Sequence, residues 1–182
     1  MDTDEQHLVH QVALGDQLAM AQLYAIYRPR LWRYLWHQMP GRTSEVDDVL
    51  QEIFLGVWRS AVTYRGQAKV STWIFQIAHN QVVRHRAQDP FAWQAERDDD
   101  DEPTSVSLED EVAARIDIDN ALAHLSPKHR EVLQLIVVHG FSTEEVAVIL
   151  HIPGGTVKSR ISYARRALFR DVFLIPEKDQ LP

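Results

Sequence analysis

The chain has 182 residues, of which 45% are hydrophobic, and it contains no cysteine. This length accommodates one large or two small domains with apolar cores, and the lack of cysteine excludes disulfides and thiolate metal sites. No apolar run approaches the roughly 20 residues that span a membrane, and the acidic N-terminus lacks the apolar segment of a signal peptide, so we expect a soluble, cytoplasmic protein without membrane insertion.

The net charge of −7 is unevenly distributed along the chain. Residues 1–88 contain nine Lys/Arg and eight Asp/Glu, a balance of +1. Residues 89–119 contain two Lys/Arg and twelve Asp/Glu, a balance of −10, and residues 120–182 contain eight Lys/Arg and six Asp/Glu, a balance of +2. The acidity therefore lies in the middle. The two flanking modules can present basic faces to nucleic acid even though the sequence pI is about 5.7.

Two helices are predicted before residue 40. The first spans residues 5–14 and ends at Gly15, and the second starts at Asp16 and is expected to kink or restart at Pro29. Its apolar side is predicted to contain Leu18, Leu23, Ile26, Tyr27, Leu31, Tyr34 and Leu35.

A capping box of Ser44 and Asp47 is predicted to open a helix from about Glu45 to Ser60. Its buried stripe is predicted to be Val46, Val49, Leu50, Ile53 and Val57. The opposite face is a polar stripe with one exposed leucine: Asp48, Gln51, Glu52, Leu55 and Arg59. Such a stripe is more often a solvated helix face than a docking surface, and both interpretations stay open.

A loop through Arg65 and Lys69 precedes the next helix, which we expect Ser71 to cap. A basic loop beside an exposed aromatic and an amide can stack on and hydrogen-bond to an unpaired base. Trp73 and Asn80 are the candidates for these contacts, although a core tryptophan and a simple surface amide explain the two residues equally well.

Residues 98–105 are acidic, lack apolar periodicity and are expected to form a flexible linker bounded roughly by Gln88 and Ser107. A helix from about Leu108 to His124 is predicted to follow, with Val112, Ile116 and Leu122 facing inward.

The C-terminal part contains the start and stop signals of three more helices. Ser126 is predicted to cap a helix from Pro127 to about Val138 that ends at Gly140. A capping box of Ser142 and Glu145 opens a short helix, which residues 151–153 break.

From about Gly154 a third helix places Val157, Ile161, Ala164 and Leu168 on one buried face. The other side is cationic and contains Lys158, Arg160, Arg165 and Arg166. A helix of this kind after a tight turn can lie in a major groove, whereas the charged stripe alone is more typical of a solvated helix.

The residues indicate no catalytic or metal site. The nine histidines form no His-Glu-x-x-His pair, and the nearest combinations, His79 with His85 and His124 with His129, are off-register or straddle a helix boundary. Neither a phosphate-binding glycine loop nor a nucleophile motif occurs. We therefore expect no enzyme, no metal and no cofactor.

Four motifs in the right order resemble bacterial RNA polymerase sigma factors of the extracytoplasmic-function (ECF) group, within the sigma-70 family. They are Asp48-x-x-Gln51-Glu52-x-Phe54-x-x-x-Trp58, Trp73-x-x-x-Ile77-Ala78-x-Asn80, Leu125-Ser126-Pro127-x-x-Arg130-Glu131-Val132-Leu133 and Gly155-Thr156-Val157-Lys158-Ser159-Arg160.

This resemblance implies an all-α fold of two small helical domains joined by a flexible acidic linker, with a helix-turn-helix in the C-terminal one. The N-terminal domain (1–88) would bind core RNA polymerase and the minus-ten element, residues 89–107 would be the linker, and residues 108–182 would bind the minus-thirty-five element of promoter DNA. The family also includes members held inactive by an anti-sigma factor, which is a further expected partner. The short apolar tail, residues 172–175, is more typical of a segment that packs on the last helix, and contact with such a partner is the alternative.

The resemblance also assigns residues to these roles. Docking on the clamp helices of the large polymerase subunit would involve Asp48, Gln51, Glu52 and Leu55. Minus-ten recognition would involve Lys69, Thr72, Trp73, Gln76 and Asn80. Minus-thirty-five recognition in the major groove would involve Thr156, Lys158, Ser159, Arg160 and Arg165.

The chain departs from the family pattern at three positions that bear on promoter preference. It has His79 where the family often has arginine and Arg84 where an acidic residue is common, and Gly154 adds a second glycine at the start of the recognition helix.

Two other functions compete with this interpretation. A conventional helix-turn-helix regulator would bind a palindromic operator as a dimer without polymerase, and a protein-binding platform would retain activity after charge reversal at Lys158 and Arg160. The regulator gives neither the Asp48 stripe nor the segment before Asn80 a role.

Overall fold

A computed structural model of the chain describes residues 2–39, 41–88 and 125–173. The predicted acidic linker, the predicted helix from Leu108 to His124 and the end of the apolar tail lie outside these ranges. The described residues form seven α-helices and no strand: α1 (Asp2–Ala13), α2 (Gln17–Gln38), α3 (Val46–Ser60), α4 (Val70–Gln88), α5 (Pro127–Leu133), α6 (Thr143–Leu150) and α7 (Gly154–Phe173). Within the described ranges, no helix is both long and apolar enough to cross a membrane.

Helices α1 to α4 enclose the N-terminal part of the core. The predicted stripe of α3 is confirmed, since all five of its residues are at most 2% exposed. Helix α2 contributes Leu23, Tyr27, Leu31 and Tyr34, each fully buried. The opposite face of α3 therefore stays at the surface.

Two predictions for α2 are wrong. The helix does not restart at Pro29 but runs from Gln17 to Gln38, and the alternative, a kink at Pro29, stays a prediction. Residues on both sides of the proline are buried in the same core, which compensates for one missing backbone donor. Leu18 and Ile26, expected on the inner side, are 76% and 41% exposed. Helix α2 has more apolar residues than the neighbouring helices bury, so these two side chains stay at the surface.

Two predicted caps are also wrong. A 3-10 turn, Thr43–Glu45, precedes α3, and no side chain caps that helix. Helix α4 starts at Val70, so Ser71 lies inside its first turn, and the carbonyl of Lys69 accepts the Trp73 N–H at 3.0 Å. The burial of Val70 in the core explains the earlier start.

The helix boundaries of the C-terminal part lie close to the predicted ones. Ser142 and Glu145 form the capping box of α6, and α6 ends at His151, whose φ of 53° places it in the left-handed region. Pro127 starts α5 as predicted, but the Ser126 hydroxyl contacts Nδ1 of His129 at 2.7 Å and accepts no backbone N–H.

One turn of π-helix, Gln134–Val138, extends α5 toward Gly140. Its wider ring is closed by the N–H of His139, which donates to the carbonyl of Gln134 at 3.1 Å. An extra residue in one turn rotates the side chains that follow it relative to α-helical register. Leu135, in this turn, reaches the core and is fully buried.

The two parts of the chain share one continuous apolar core. Val132, Leu135, Phe141 and Val146 belong to the same cluster of buried residues as the core of α1 to α4. Phe75 of α4 meets Phe141 edge to face, with ring centroids 4.9 Å apart. A smaller cluster between α5 and α7 belongs to the C-terminal part alone.

Gly56 sets the spacing between α3 and α4, because a Cβ there would lie 3.0 Å from Cγ2 of Ile77. We expect Gly56→Leu to lower the free energy of unfolding by about 1–3 kcal/mol through overpacking. Gly155→Leu is the matched control, since no atom lies within 4 Å of its added Cβ. Urea unfolding followed by circular dichroism gives the unfolding free energy of both variants. Equal losses in the two would contradict the role of Gly56 in the spacing between α3 and α4.

Candidate functional site

The polymerase surface, defined by Asp48, Gln51, Glu52 and Leu55, lies along the outer face of α3, and all four residues are exposed. The apolar side chain of Leu55 is 52% exposed among these polar neighbours. The opposite stripe of α3 holds the helix in the core. The site is therefore a rigid, preformed surface with three hydrogen-bonding side chains around one apolar contact.

The minus-ten surface lies along α4 and the loop before it, and is defined by Lys69, Thr72, Trp73, Gln76 and Asn80. The loop is closed by Tyr64, whose hydroxyl donates to the carbonyl of Ala68 at 2.6 Å. The Tyr64 ring also packs on Trp73, with centroids 4.9 Å apart. Trp73 is partly buried and packs against the apolar core, and Asn80 is exposed.

The other three residues of the minus-ten surface contact α6. The ammonium of Lys69 lies 2.9 Å from Oε1 of Glu145. The Thr72 hydroxyl lies 3.5 Å from the same oxygen, and Thr72 is only 1% exposed. The second oxygen of Glu145, Oε2, accepts the N–H of Ser142 at 2.8 Å in the capping box.

The contact continues along the next turn of α4. The amide of Gln76 donates to the carbonyl of Val148 at 3.4 Å and lies 3.4 Å from Nε2 of His151. The structure thus brings three of the five residues of the minus-ten surface against the first helix of the helix-turn-helix. Sequence reasoning did not predict this packing.

The minus-thirty-five surface, defined by Thr156, Lys158, Ser159, Arg160 and Arg165, lies on the early turns of α7. Lys158, Ser159 and Arg165 are exposed, and Thr156 and Arg160 are partly exposed. Val157 and Ala164 on the opposite side are fully buried. The predicted inner face of α7 is confirmed for these two residues, whereas Ile161 and Leu168, predicted on the same face, are only partly buried.

A buried carboxylate joins the two parts of the chain. Glu131 of α5 is 6% exposed, and its Oε1 lies 2.8 Å from Nδ1 of His79 on α4. The Tyr34 hydroxyl of α2 donates to the same oxygen. Burial alone would raise the pKa of Glu131. The hydrogen bond and charge of His79, with the hydrogen bond from Tyr34, outweigh burial, so the pKa of Glu131 lies below its usual value.

A second polar group lies beside this carboxylate. The amide of Gln134 donates to the carbonyl of Arg33 at 3.1 Å and pairs with the buried Gln38 at 2.9 Å. Arg130 donates to the carbonyl of His37 at 3.2 Å. Since the His37 carbonyl lies in the last turn of α2, where the helix itself supplies no donor, Arg130 provides its partner.

Polar residues within a buried helix are the sequence signal for this contact between the two parts of the chain. Arg130, Glu131 and Gln134 interrupt a buried apolar helix at positions beside Val132 and Leu135. Polar residues at such positions need buried partners. The partners lie some 50 to 100 residues away, so the sequence alone identifies the need but not the contact.

No group of three or more metal-binding side chains occurs within the part of the chain that the structure describes.

Two family models match this chain. Sigma-70 region 2 matches residues 23–89, which include α3 and α4, and sigma-70 region 4 matches residues 115–168, which include the helix-turn-helix. The ECF RNA polymerase sigma factor SigL of Mycobacterium tuberculosis is 35% identical over 164 residues, covering 88% of this chain and 92% of that protein. The chain belongs to the ECF group of the sigma-70 family.

Other relatives agree with this placement of the sigma factor. SigW of Bacillus subtilis is 31% identical (88% of this chain and 92% of that protein), and the ECF sigma-E factor of Escherichia coli is 30% identical (90% and 92%). As a sigma factor, the chain acts with RNA polymerase in transcription initiation.

Solved structures share the fold of this sigma factor. CnrH in complex with the cytosolic domain of CnrY has a TM-score of 0.67 and 23% identity, over 92% of this chain and 96% of that one. RpoE of Bartonella quintana in complex with the anti-sigma factor NepR has a TM-score of 0.63 and 23% identity, over 85% and 97%.

The imidazole of His139 introduces a pH dependence into this sigma factor. Burial, together with the charges of Arg30, Arg33 and His37, lowers the pKa of His139 from 6.5 to about 4. Between those pH values the unfolded chain binds a proton at this site that the folded chain does not, so stability falls as the pH drops from about 6.5 to about 4.

We expect His139→Phe to reduce that loss of unfolding free energy by about 1–3 kcal/mol. Urea unfolding of both proteins at pH 7, 5.5 and 4.5 gives, for each, the slope of the unfolding free energy against pH. His10→Phe, on the exposed side of α1, is the control and should keep the wild-type slope. A wild-type slope in the His139 variant as well would contradict the assignment.

Proposed function

We propose that this sigma factor binds core RNA polymerase through the polymerase surface of α3. The observation that supports this most directly is the exposure of all four residues on a helix whose other face is buried. A half-exposed leucine among hydrogen-bonding side chains has the composition of a small protein interface. The partner in this proposal is the pair of clamp helices in the large polymerase subunit.

The minus-ten surface then binds the melted promoter strand. The tilted pair of Tyr64 and Trp73 rings places an aromatic ring at the edge of the basic loop, and Asn80 lies exposed two turns further along α4. An aromatic ring stacks on an unpaired base and an amide hydrogen-bonds to its edge. Lys69 supplies the cation for a neighbouring phosphate.

The minus-thirty-five surface binds duplex DNA in the major groove. Helix α7 follows a tight turn at His151 and presents its early basic side chains outward, which is the geometry of a recognition helix. Arg160 and Arg165 are suited to base edges and phosphates, and Lys158 to phosphates.

The remaining parts of the proposal follow the family. The domain boundaries are 1–88, 89–107 and 108–182, the protein acts in the cytoplasm, and it has no enzymatic activity and needs no metal or cofactor. An anti-sigma factor is a further proposed partner, as it is for RpoE of Bartonella quintana. The competing regulator that binds DNA without polymerase leaves the polymerase surface without a role.

The central test is transcription by core RNA polymerase on genomic DNA fragments, with and without this protein, followed by RNA sequencing. New transcript starts that share an upstream sequence are expected only with the protein present. If no start depends on the protein and it does not bind core enzyme, the proposal is wrong.

We expect Gln51→Ala with Glu52→Ala to weaken binding to core polymerase by roughly 30-fold, because both side chains lie at the centre of the proposed interface. Fluorescence anisotropy of the labelled protein titrated with core enzyme measures the affinity. Gln22→Ala with Glu144→Ala, which removes the same two residue types from exposed positions elsewhere, is the matched control and should bind as wild type.

Lys158→Ala should weaken promoter binding by the holoenzyme without changing core binding. Loss of one phosphate contact reduces the slope of log affinity against log salt by about 1. Promoter affinity measured at several salt concentrations gives that slope. An unchanged slope would remove Lys158 from the minus-thirty-five surface.

A further inference from the structure

A basic pocket lies where α2 meets the π-helical turn that follows α5. It has a volume of about 390 Å³ and is lined by Pro29, Arg30 and Arg33 of α2 and by Val138 and His139 of the C-terminal part. None of these residues belongs to the polymerase, minus-ten or minus-thirty-five surface. The functions proposed for those surfaces therefore leave the pocket without a role.

Two arginines one turn apart on α2 supply the charge of the pocket. Arg33 is exposed and Arg30 is partly exposed, and within the described residues neither forms an ion pair. Nη2 of Arg30 donates to the carbonyl of His139 at 3.4 Å. Like charges at this spacing destabilise a helix. The two guanidinium groups are therefore suited to an anion shared between them.

The guanidinium of Arg30 is oriented by aromatic rings. Its carbon lies 5.4 Å from the ring centroid of Phe75 and 5.8 Å from those of Tyr27 and Phe141. Contacts of this kind hold a guanidinium in place without removing its charge. An anion that binds Arg30 thus meets a side chain that is already positioned.

The π-helical turn supplies the other wall of the pocket. Val138 ends this turn and His139 follows it, and π-helical turns are frequent at functional sites. Nε2 of His139 is buried without a hydrogen-bond partner. Burial and the neighbouring positive charges lower the pKa of His139 to about 4. The imidazole is therefore neutral near pH 7, and the charge of the pocket comes from the two arginines.

The pocket has room for more than a bare anion. Its volume lies in the range of small-molecule sites, and Pro29 and Val138 give it an apolar wall beside the arginines. Arginines hold phosphate oxygens through charge-assisted, often bidentate, hydrogen bonds. This combination fits a phosphate group joined to a small organic body, whereas a DNA duplex is too wide for a concave site of this size.

We propose that this pocket binds a small organic phosphate, a nucleoside or sugar monophosphate, with Arg30 and Arg33 on the phosphate and Pro29 and Val138 on the organic part. Because the walls come from α2 and from the π-helical turn, the ligand contacts both parts of the chain and stabilises the folded protein. The site does not depend on the proposed polymerase and promoter contacts, so its test needs neither core enzyme nor promoter DNA.

Isothermal titration calorimetry of the full chain measures binding of AMP, ribose 5-phosphate, inorganic phosphate and adenosine. We expect AMP or ribose 5-phosphate to bind at least about tenfold more tightly than inorganic phosphate, because the apolar wall adds contacts. The tighter of these two identifies the organic part. The proposal is wrong if neither binds at millimolar concentration, if inorganic phosphate binds equally well, or if adenosine binds as tightly as AMP.

Arg33→Gln should weaken binding of the organic phosphate by about tenfold or more, since it removes a charge-assisted hydrogen bond. Arg28→Gln is the matched control, because it removes the same charge from an exposed arginine of α2 that faces Asp47, at 3.7 Å. This control should bind as wild type. Equal losses in the two variants would mean that the ligand responds only to the overall charge of α2, and would overturn the site.

The ring of His139 gives a second readout. The imidazole nitrogen resonances that disappear in His139→Phe identify this ring by NMR, and the organic phosphate should shift them. Binding that leaves these resonances unchanged would place the ligand elsewhere and overturn the proposal.

Single-stranded oligothymidylate tests a nucleic acid as the alternative occupant. If Arg33→Gln but not Arg28→Gln weakens its binding, and neither AMP nor ribose 5-phosphate binds, the pocket takes a nucleic acid strand and the proposal is wrong.

Discussion

The buried carboxylate of Glu131 is the constraint on which the arrangement of the two parts of the chain depends. An ionised carboxylate removed from water without partners costs several kcal/mol. Here its partners are Tyr34 of α2 and His79 of α4, from two different helices of the N-terminal part. Helix α5 therefore has one favourable position against α2 and α4, and it brings the helix-turn-helix with it.

The same constraint gives a structural role to a position where this sequence departs from its family. His79 stands where the family often has arginine, immediately before the candidate base-binding residue Asn80. In the structure its ring faces Glu131. One turn of α4 thus contains a residue directed toward the C-terminal part of the chain and another that is exposed to solvent.

Much of the fold could be predicted because its signals are local. The stripe on α3 repeats with helical spacing, and the capping box of Ser142 and Glu145 is a four-residue pattern; both are present as expected. The errors arose where tertiary packing overrode local preference. Pro29 lies within a continuous helix because flanking residues are buried together.

The candidate surfaces were predictable only in part for the same reason. Exposure of the polymerase surface follows from amphipathic spacing within one helix. The ion pair of Lys69 with Glu145 joins residues 76 positions apart in the sequence, and no local pattern specifies it. Family resemblance does not supply it either, since a motif identifies the role of a residue but not what occupies its surface in the free protein.

The two oxygens of Glu145 have separate partners, so the cap of α6 and its contact with α4 do not compete for the same atom. Oε2 accepts the N–H of Ser142 and so belongs to the start of α6 itself, whereas Oε1 faces Lys69 and Thr72 on α4. The N-terminal cap of α6 therefore depends only on residues 142–145 and needs no residue of α4. One carboxylate thus both starts a helix and fixes where that helix packs.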